Sequence, residues 1–186
     1  PGKHIWSSGL RSTRDSDREE INSYIPLKSF VDKGIIFVLA TDNVPFRPLH
    51  TLGAAITRID GVTGQVIGPD QKISRADALR AFTINGAYLS FEEHIKGSIE
   101  VGKLADLAVL SADLLTVPED DIRQIQVLMT MVGGKVISLN DSLAKEWNMT
   151  GVGEQFNIDM ERVEATIAEA NRSVPWVSGS IIPKDN

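Results

Sequence analysis

The sequence predicts an α/β chain, with helices around a buried parallel strand in its first half and antiparallel strands in its second. Two features carry that reading. Ile35 to Leu39 (Ile-Ile-Phe-Val-Leu) is apolar and rich in β-branched residues with no alternation, the pattern of a strand covered on both faces. Gly133-Gly134 separates two runs of strand composition, Gln126–Val132 and Lys135–Leu139, which is a hairpin signal.

The first feature organises the chain. Pro26 to Lys33 reads as a short helix, with Leu27, Phe30 and Val31 as its apolar stripe and Gly34 as its stop. The strand follows at once and runs out into Ala-Thr-Asp-Asn, where Pro45 and Pro48 disfavour a helix. Asp42 therefore lies just past the strand's carboxyl end, where α/β sheets and barrels gather ligands and catalytic groups. On spacing alone, capping a turn is the ordinary role of such an aspartate.

Composition narrows the classes. The 186 residues carry a formal net charge of -6 and no basic run, which argues against a general nucleic-acid binder. Apolar content is normal for a packed core. The absence of cysteine excludes disulfides and thiolate metal sites and fits a cytoplasmic chain. No apolar stretch is long enough to span a bilayer, and the start, Pro-Gly-Lys-His, has no signal-peptide core. A chain that opens on Pro1 has lost an initiator methionine or is an internal piece of a longer protein.

The remaining elements follow in order. Residues 1 to 20 read as a polar loop, with Trp6 as a packing anchor and His4 an unremarkable surface histidine. Leu49 to Ile59 reads as a helix whose Gly53, Ala54 and Ala55 permit close packing on a sheet. His50 lies in its first turn, placed to touch a substrate or to make a local hydrogen bond. Asp60 to Lys72 is loop. Ser74 with Asp77 nearly matches a capping box and opens a helix with Ala78, Leu79, Ala81 and Phe82 on its buried face. A break at Gly86 and a further turn, Ala87 to Phe91, are expected, followed by a solvated Glu92-Glu93-His94 end. From Lys96 the character is β, with a strand at Leu107–Leu110 and an acidic helical turn at Pro118–Ile122. Residues 140 to 186 read as an appendix with a helix at Met160–Asn171, clamped by Trp147 and Trp176.

No paired-carboxylate motif, His-x-His or supported Ser-His-Asp order is present, and the three histidines are far apart. Asp42 is the one residue whose position suggests catalysis.

Three motifs then stand out: A-L-x-A-x-T-x-N-x-A from Ala78, G-S-I-E-x-G-K-x-A-D-L-x-V-L from Gly97, and V-x-x-T-x-V-G-G-K-V from Val127. With ATDNVPF and PLHTLGAAITR, they make residues 26 to 138 resemble the carboxyl-terminal part of the amidohydrolase superfamily. Within it, the amidohydrolase-3 family, the YtcJ-like metal-dependent hydrolases, is the nearest in pattern. The resemblance implies the last strand and helices of a (β/α)8 TIM barrel over residues 1–95. It implies strands of a small composite β-sandwich over 96–140 and an appendix over 141–186. Lys96–Leu110 and Gln126–Leu139 would be sandwich strands, with tight turns at Gly97 and Gly102 and Asp106 fixing the loop before its strand.

The resemblance also implies a role for Asp42, as metal ligand and proton-transfer base in the hydrolysis of an amide or N-acyl amine. Phe46, Arg47 and His50 would neighbour the substrate. The divalent metal, zinc as first choice, would take most of its ligands from outside this chain, so these 186 residues alone are not expected to hold it tightly. The expected partners are the remaining amino-terminal part of the hydrolase, a small-molecule substrate and a second copy of the whole, with no nucleic acid and no membrane. The first alternative is a non-catalytic assembly module that retains a barrel remnant. The second is a receiver-like phosphoacceptor, which the β hairpins after residue 95 disfavour.

Overall fold

The computed structural model describes residues 2–7, 9, 13, 16–42, 47–153, 165 and 169. It joins a helical half to a small antiparallel sheet, a mixture consistent with an α/β class. The parallel sheet of a barrel is not formed among the described residues.

The amino-terminal region is more helical than its polar composition suggests. A π-helical turn occupies Gly2–Ser7, and α1 covers Arg18–Ser23, where a loop is expected through residue 20. The reason for α1 is local. The Asp17 carboxylate accepts the Glu20 backbone N–H at 2.9 Å, and Glu19 and Glu20 place negative charge in the first turn. Helix α2 (Leu27–Asp32) stops as expected at Gly34. Gly34 adopts φ 64, its N–H reaches the Val31 carbonyl, and the Ile35 N–H reaches Phe30, the paired bonds of a Schellman cap.

The segment after Gly34 departs from expectation. Ile35 to Leu39 forms no strand ladder among the described residues. Leu39 is buried, but Ile35, Ile36 and Val38 are 48%, 56% and 36% exposed. A two-sided apolar strand needs a neighbour on each edge and helices over it. Among the described residues helices cover one side of this segment and no strand pairs with it.

Helix α3 (Pro48–Thr57) is the centre of the helical core, buried from Leu49 through Thr57. Pro48 suits its first turn. Its small residues permit close approach, but to a helical turn and not to the expected sheet, for Gly53 lies directly against the side chain of Arg123. Arg58 ends the helix in the left-handed region at φ 56, and its buried guanidinium donates to the carbonyls of Tyr24, Ile25 and Ile67. Burial lowers its pKa to about 10, so it stays charged at neutral pH.

Helix α4 (Arg75–Phe82) opens on Ser74, whose hydroxyl accepts the Asp77 N–H at 3.1 Å and donates to the Asp77 carboxylate at 2.6 Å. The break comes at Thr83, not Gly86, and α5 runs from Ile84 to Leu89. Thr83 leaves helical geometry (φ -123, ψ -90), and its hydroxyl bonds back to the Leu79 carbonyl. A β-branched hydroxyl residue competes for the backbone in that way.

Strands β1 (Leu107–Leu110), β2 (Val127–Val132) and β3 (Lys135–Leu139) pair antiparallel in the order β1-β2-β3, with Leu107 opposite Met131 and Met129 opposite Leu139. The part of the expected sandwich strand before residue 107 is turn and irregular chain, with Gly97 at φ 93 and Gly102 at φ 94. Asp106 braces the hairpin, its carboxylate accepting the Gly133 N–H at 2.7 Å. One sheet face packs on Leu143 and Ala144 of α6 (Asp141–Glu146), a helix capped by the Asn140 side chain. Of the expected helix at Met160–Asn171, Ala165 and Glu169 are helical and the rest lies outside the described residues. Trp147 is 46% exposed rather than clamped, and Trp176 lies outside the described residues.

Candidate functional site

Asp42 sits at the end of the segment that leaves α2. It is exposed and takes up the left-handed region at φ 59, which Asp and Asn tolerate better than most residues. The segment below it is anchored from one side. The Leu39 N–H donates to the Ala81 carbonyl at 3.0 Å, and the Asn85 side-chain amide donates to the Phe37 carbonyl at 2.8 Å. The rings of Phe37 and Phe30 meet at 5.8 Å between centroids. Asp42 thus projects three residues beyond the last anchored position.

Residues 43–46, and with them Phe46, lie outside the described residues. On their far side, the Arg47 guanidinium donates to the Ile125 carbonyl at 3.2 Å, tying the start of α3 to the turn at Glu119–Gln124 that precedes β2.

His50 is fully buried. Its ring stands edge-to-face with Trp6, 5.1 Å between centroids at 81°. Among the described residues neither ring nitrogen has a hydrogen-bond partner, and the same holds for the hydroxyl of the neighbouring Thr51. Burial first, then the charges of Arg123 and Arg47, lower the His50 pKa to about 4, so the ring is neutral at physiological pH. Trp6 is the anchor its isolation in a polar stretch suggested. The Arg123 guanidinium lies 3.6 Å over its ring, a cation–π contact, and the Trp6 carbonyl accepts the Gly61 N–H at 2.6 Å.

The structure therefore brings Arg47 and His50 together at the start of α3 and leaves Asp42 across an undescribed span from both. Two further residues matter here. Arg123 gives no sequence signal, being one of several charged residues in an acidic turn. Asn85 lies inside the T-x-N-x-A motif, where its spacing was visible and its contact was not.

Among the described residues, no group of three or more His, Cys, Asp or Glu side chains is placed to hold a metal ion. The exposed Asp42 carboxylate suits one oxygen ligand, whereas a catalytic zinc takes three protein ligands and a water. No helix among the described residues is long and apolar enough to cross a membrane.

Comparison with known proteins gives the context for these features. A model of the amidohydrolase family matches residues 9–138. The chain is 32% identical over 131 residues to an N-substituted formamide deformylase of Arthrobacter pascens, covering 69% of this chain and 24% of that protein. It is 34% identical over 122 residues to Protein LONG AFTER FAR-RED 3 of Arabidopsis thaliana, covering 64% and 21%. It is 31% identical over 93 residues to an imidazolonepropionase of Bdellovibrio bacteriovorus, covering 50% and 20%. The chain thus spans about a quarter or less of the length of these relatives. No solved structure matches it. On the family match over most of its length, this chain belongs to the amidohydrolase family.

Proposed function

We propose that this chain forms the carboxyl-terminal part of a metal-dependent hydrolase that cleaves the C–N bond of an amide or N-acyl amine, with Asp42 as the proton-transfer base. The supporting observation is the placement of an exposed Asp42 at the end of an anchored segment, within a region that matches the amidohydrolase family. Relatives named as a formamide deformylase and an imidazolonepropionase support the bond type, and N-substituted formamides are the first substrates to try.

In this reading the Asp42 carboxylate takes a proton from the hydrolytic water and delivers it to the departing nitrogen, so the amine leaves neutral. A divalent metal, zinc as first choice, would acidify that water when bound, with Asp42 as one ligand and the rest supplied from outside this chain. Substrate contact from Phe46, Arg47 and His50 belongs to the same proposal. For His50 it requires Trp6 to move off the ring. The exposed Ile35, Ile36 and Val38 favour completion of the fold by the rest of the hydrolase. A homo-oligomer of the completed enzyme and a cytoplasmic location are parts of the proposal.

The test is Asp42→Asn in the intact, metal-loaded protein, assayed on a panel of N-acyl amines by amine release. Turnover is expected to fall at least ~10²-fold, the usual scale for a general base. Parent-like turnover with metal retained removes Asp42 from the mechanism.

A further inference from the structure

The segment that carries Asp42 makes no ladder bonds among the described residues, yet beyond the helix cap at Ile35 two of its backbone groups are satisfied. They are the carbonyl of Phe37 and the N–H of Leu39. In an extended chain the carbonyl of one residue and the amide two residues on face the same edge. Both are met by the break between α4 and α5. Ala81 lies in the last turn of α4, where carbonyls have no intrahelical partner, and its oxygen accepts from Leu39. Asn85 lies in the first turn of α5, and its amide reaches across 48 residues of sequence to Phe37. The irregular Thr83 between them lets one helix end and the next begin beside the same edge.

The two bonds differ in kind. The bond from Leu39 to Ala81 is backbone to backbone, and any residues at those positions can form it. The bond from Asn85 needs an amide donor of one length at one position. Phe37 is also packed against Phe30, and Leu39 is in the core, so the segment is held on one face by apolar contact and along its edge by Asn85.

We infer that Asn85 is a positioning residue for Asp42. By binding the Phe37 carbonyl it sets the register of the segment from which Asp42 projects. This rests on the reading of Asp42 as the base. Asn85 touches neither substrate nor water in this role, and its effect passes through the backbone. A reacting group displaced by about 1 Å can lose on the order of 10²-fold in rate, so a lost register bond is expected to act on turnover rather than on affinity.

The experiment uses the intact, metal-loaded hydrolase and whichever amide of the panel the parent turns over. Asn85→Asp keeps size and shape but sets an acceptor against the Phe37 carbonyl. Asn85→Gln keeps the amide and is the conservative control. For Asn85→Asp the expected result is a kcat at least tenfold lower with KM within about twofold, and thermal unfolding within a few degrees of the parent. Partial recovery of kcat is expected in Asn85→Gln. A parent-like kcat in Asn85→Asp overturns the inference. A loss of activity that matches a loss of folded enzyme also overturns it, because the role is then structural. Asp42→Asn, measured alongside, separates the two ideas. Parent-like turnover there overturns the base assignment and this inference with it. Loss there with parent-like turnover in Asn85→Asp overturns only the inference about Asn85.

Discussion

Trp6 and His50 meet edge-to-face with ring centroids 5.1 Å apart, and the pair joins the amino-terminal turn to the first turn of the central helix. The histidine is buried with no hydrogen-bond partner on either nitrogen among the described residues, so a proton on it would be a buried charge without a described partner.

That arrangement sets a pH dependence. His50 has a folded-state pKa of about 4 against 6.5 unfolded. Between those values the unfolded state binds the proton and the folded state does not. Stability is therefore full above pH 6.5, declines as pH falls towards 4, and loses on the order of 3 kcal/mol from this residue. Urea unfolding of the parent and of His50→Leu across this window should show a shallower decline in the variant. Parallel curves would rule out His50 as the source.

Arg58 should be the most sensitive polar residue in the helical half. Its buried guanidinium satisfies carbonyls of Tyr24, Ile25 and Ile67 from three directions. Arg58→Ala is expected to destabilise by about 3–5 kcal/mol, because it leaves three carbonyls without their donor at about 1–3 kcal/mol each. Arg58→Lys should recover a minor part, because an ammonium lacks the planar fork. Denaturant midpoints within experimental error of the parent would contradict this.

Gly61 and Gly53 should respond differently to alanine. A Cβ at Gly61 would overlap the indole of Trp6, a rigid ring that also stacks on Arg123. A Cβ at Gly53 would meet Cγ of Arg123 at 2.8 Å, in a flexible side chain. Gly61→Ala is expected to cost ~1–3 kcal/mol and to shift the tryptophan emission. Gly53→Ala should be milder, since a helix interior gains ~1 kcal/mol from the exchange and offsets part of the clash. Equal effects would show that Trp6 is free to move.

The exposed strip before Asp42 offers a test of completion by the rest of the hydrolase. Amide hydrogen exchange at Ile36 to Val38 is expected to be fast in residues 1–186 alone and strongly slowed in the intact hydrolase, where a neighbouring strand would cover them. The same fast exchange in both would argue against pairing at this strip.

Local signals determined most of the elements. The Ser74 cap, the Gly34 stop and the Gly133-Gly134 turn each act within a few residues, and each is found where the sequence places it. The motifs likewise identify the family. Local chemistry also accounts for two differences from the pattern, since Asp17 caps a helix within a polar stretch of loop composition and Thr83, not Gly86, breaks the next. Tertiary structure alone decided the rest. Whether Ile35–Leu39 becomes a strand depends on neighbours, because a ladder needs backbone groups from another segment. Whether His50 hydrogen-bonds or lies dry against Trp6 depends on which surface closes over it. That Asn85 holds Phe37 and Arg58 holds Tyr24 follows from the meeting of segments 48 and 34 positions apart, and no spacing within either segment encodes that meeting.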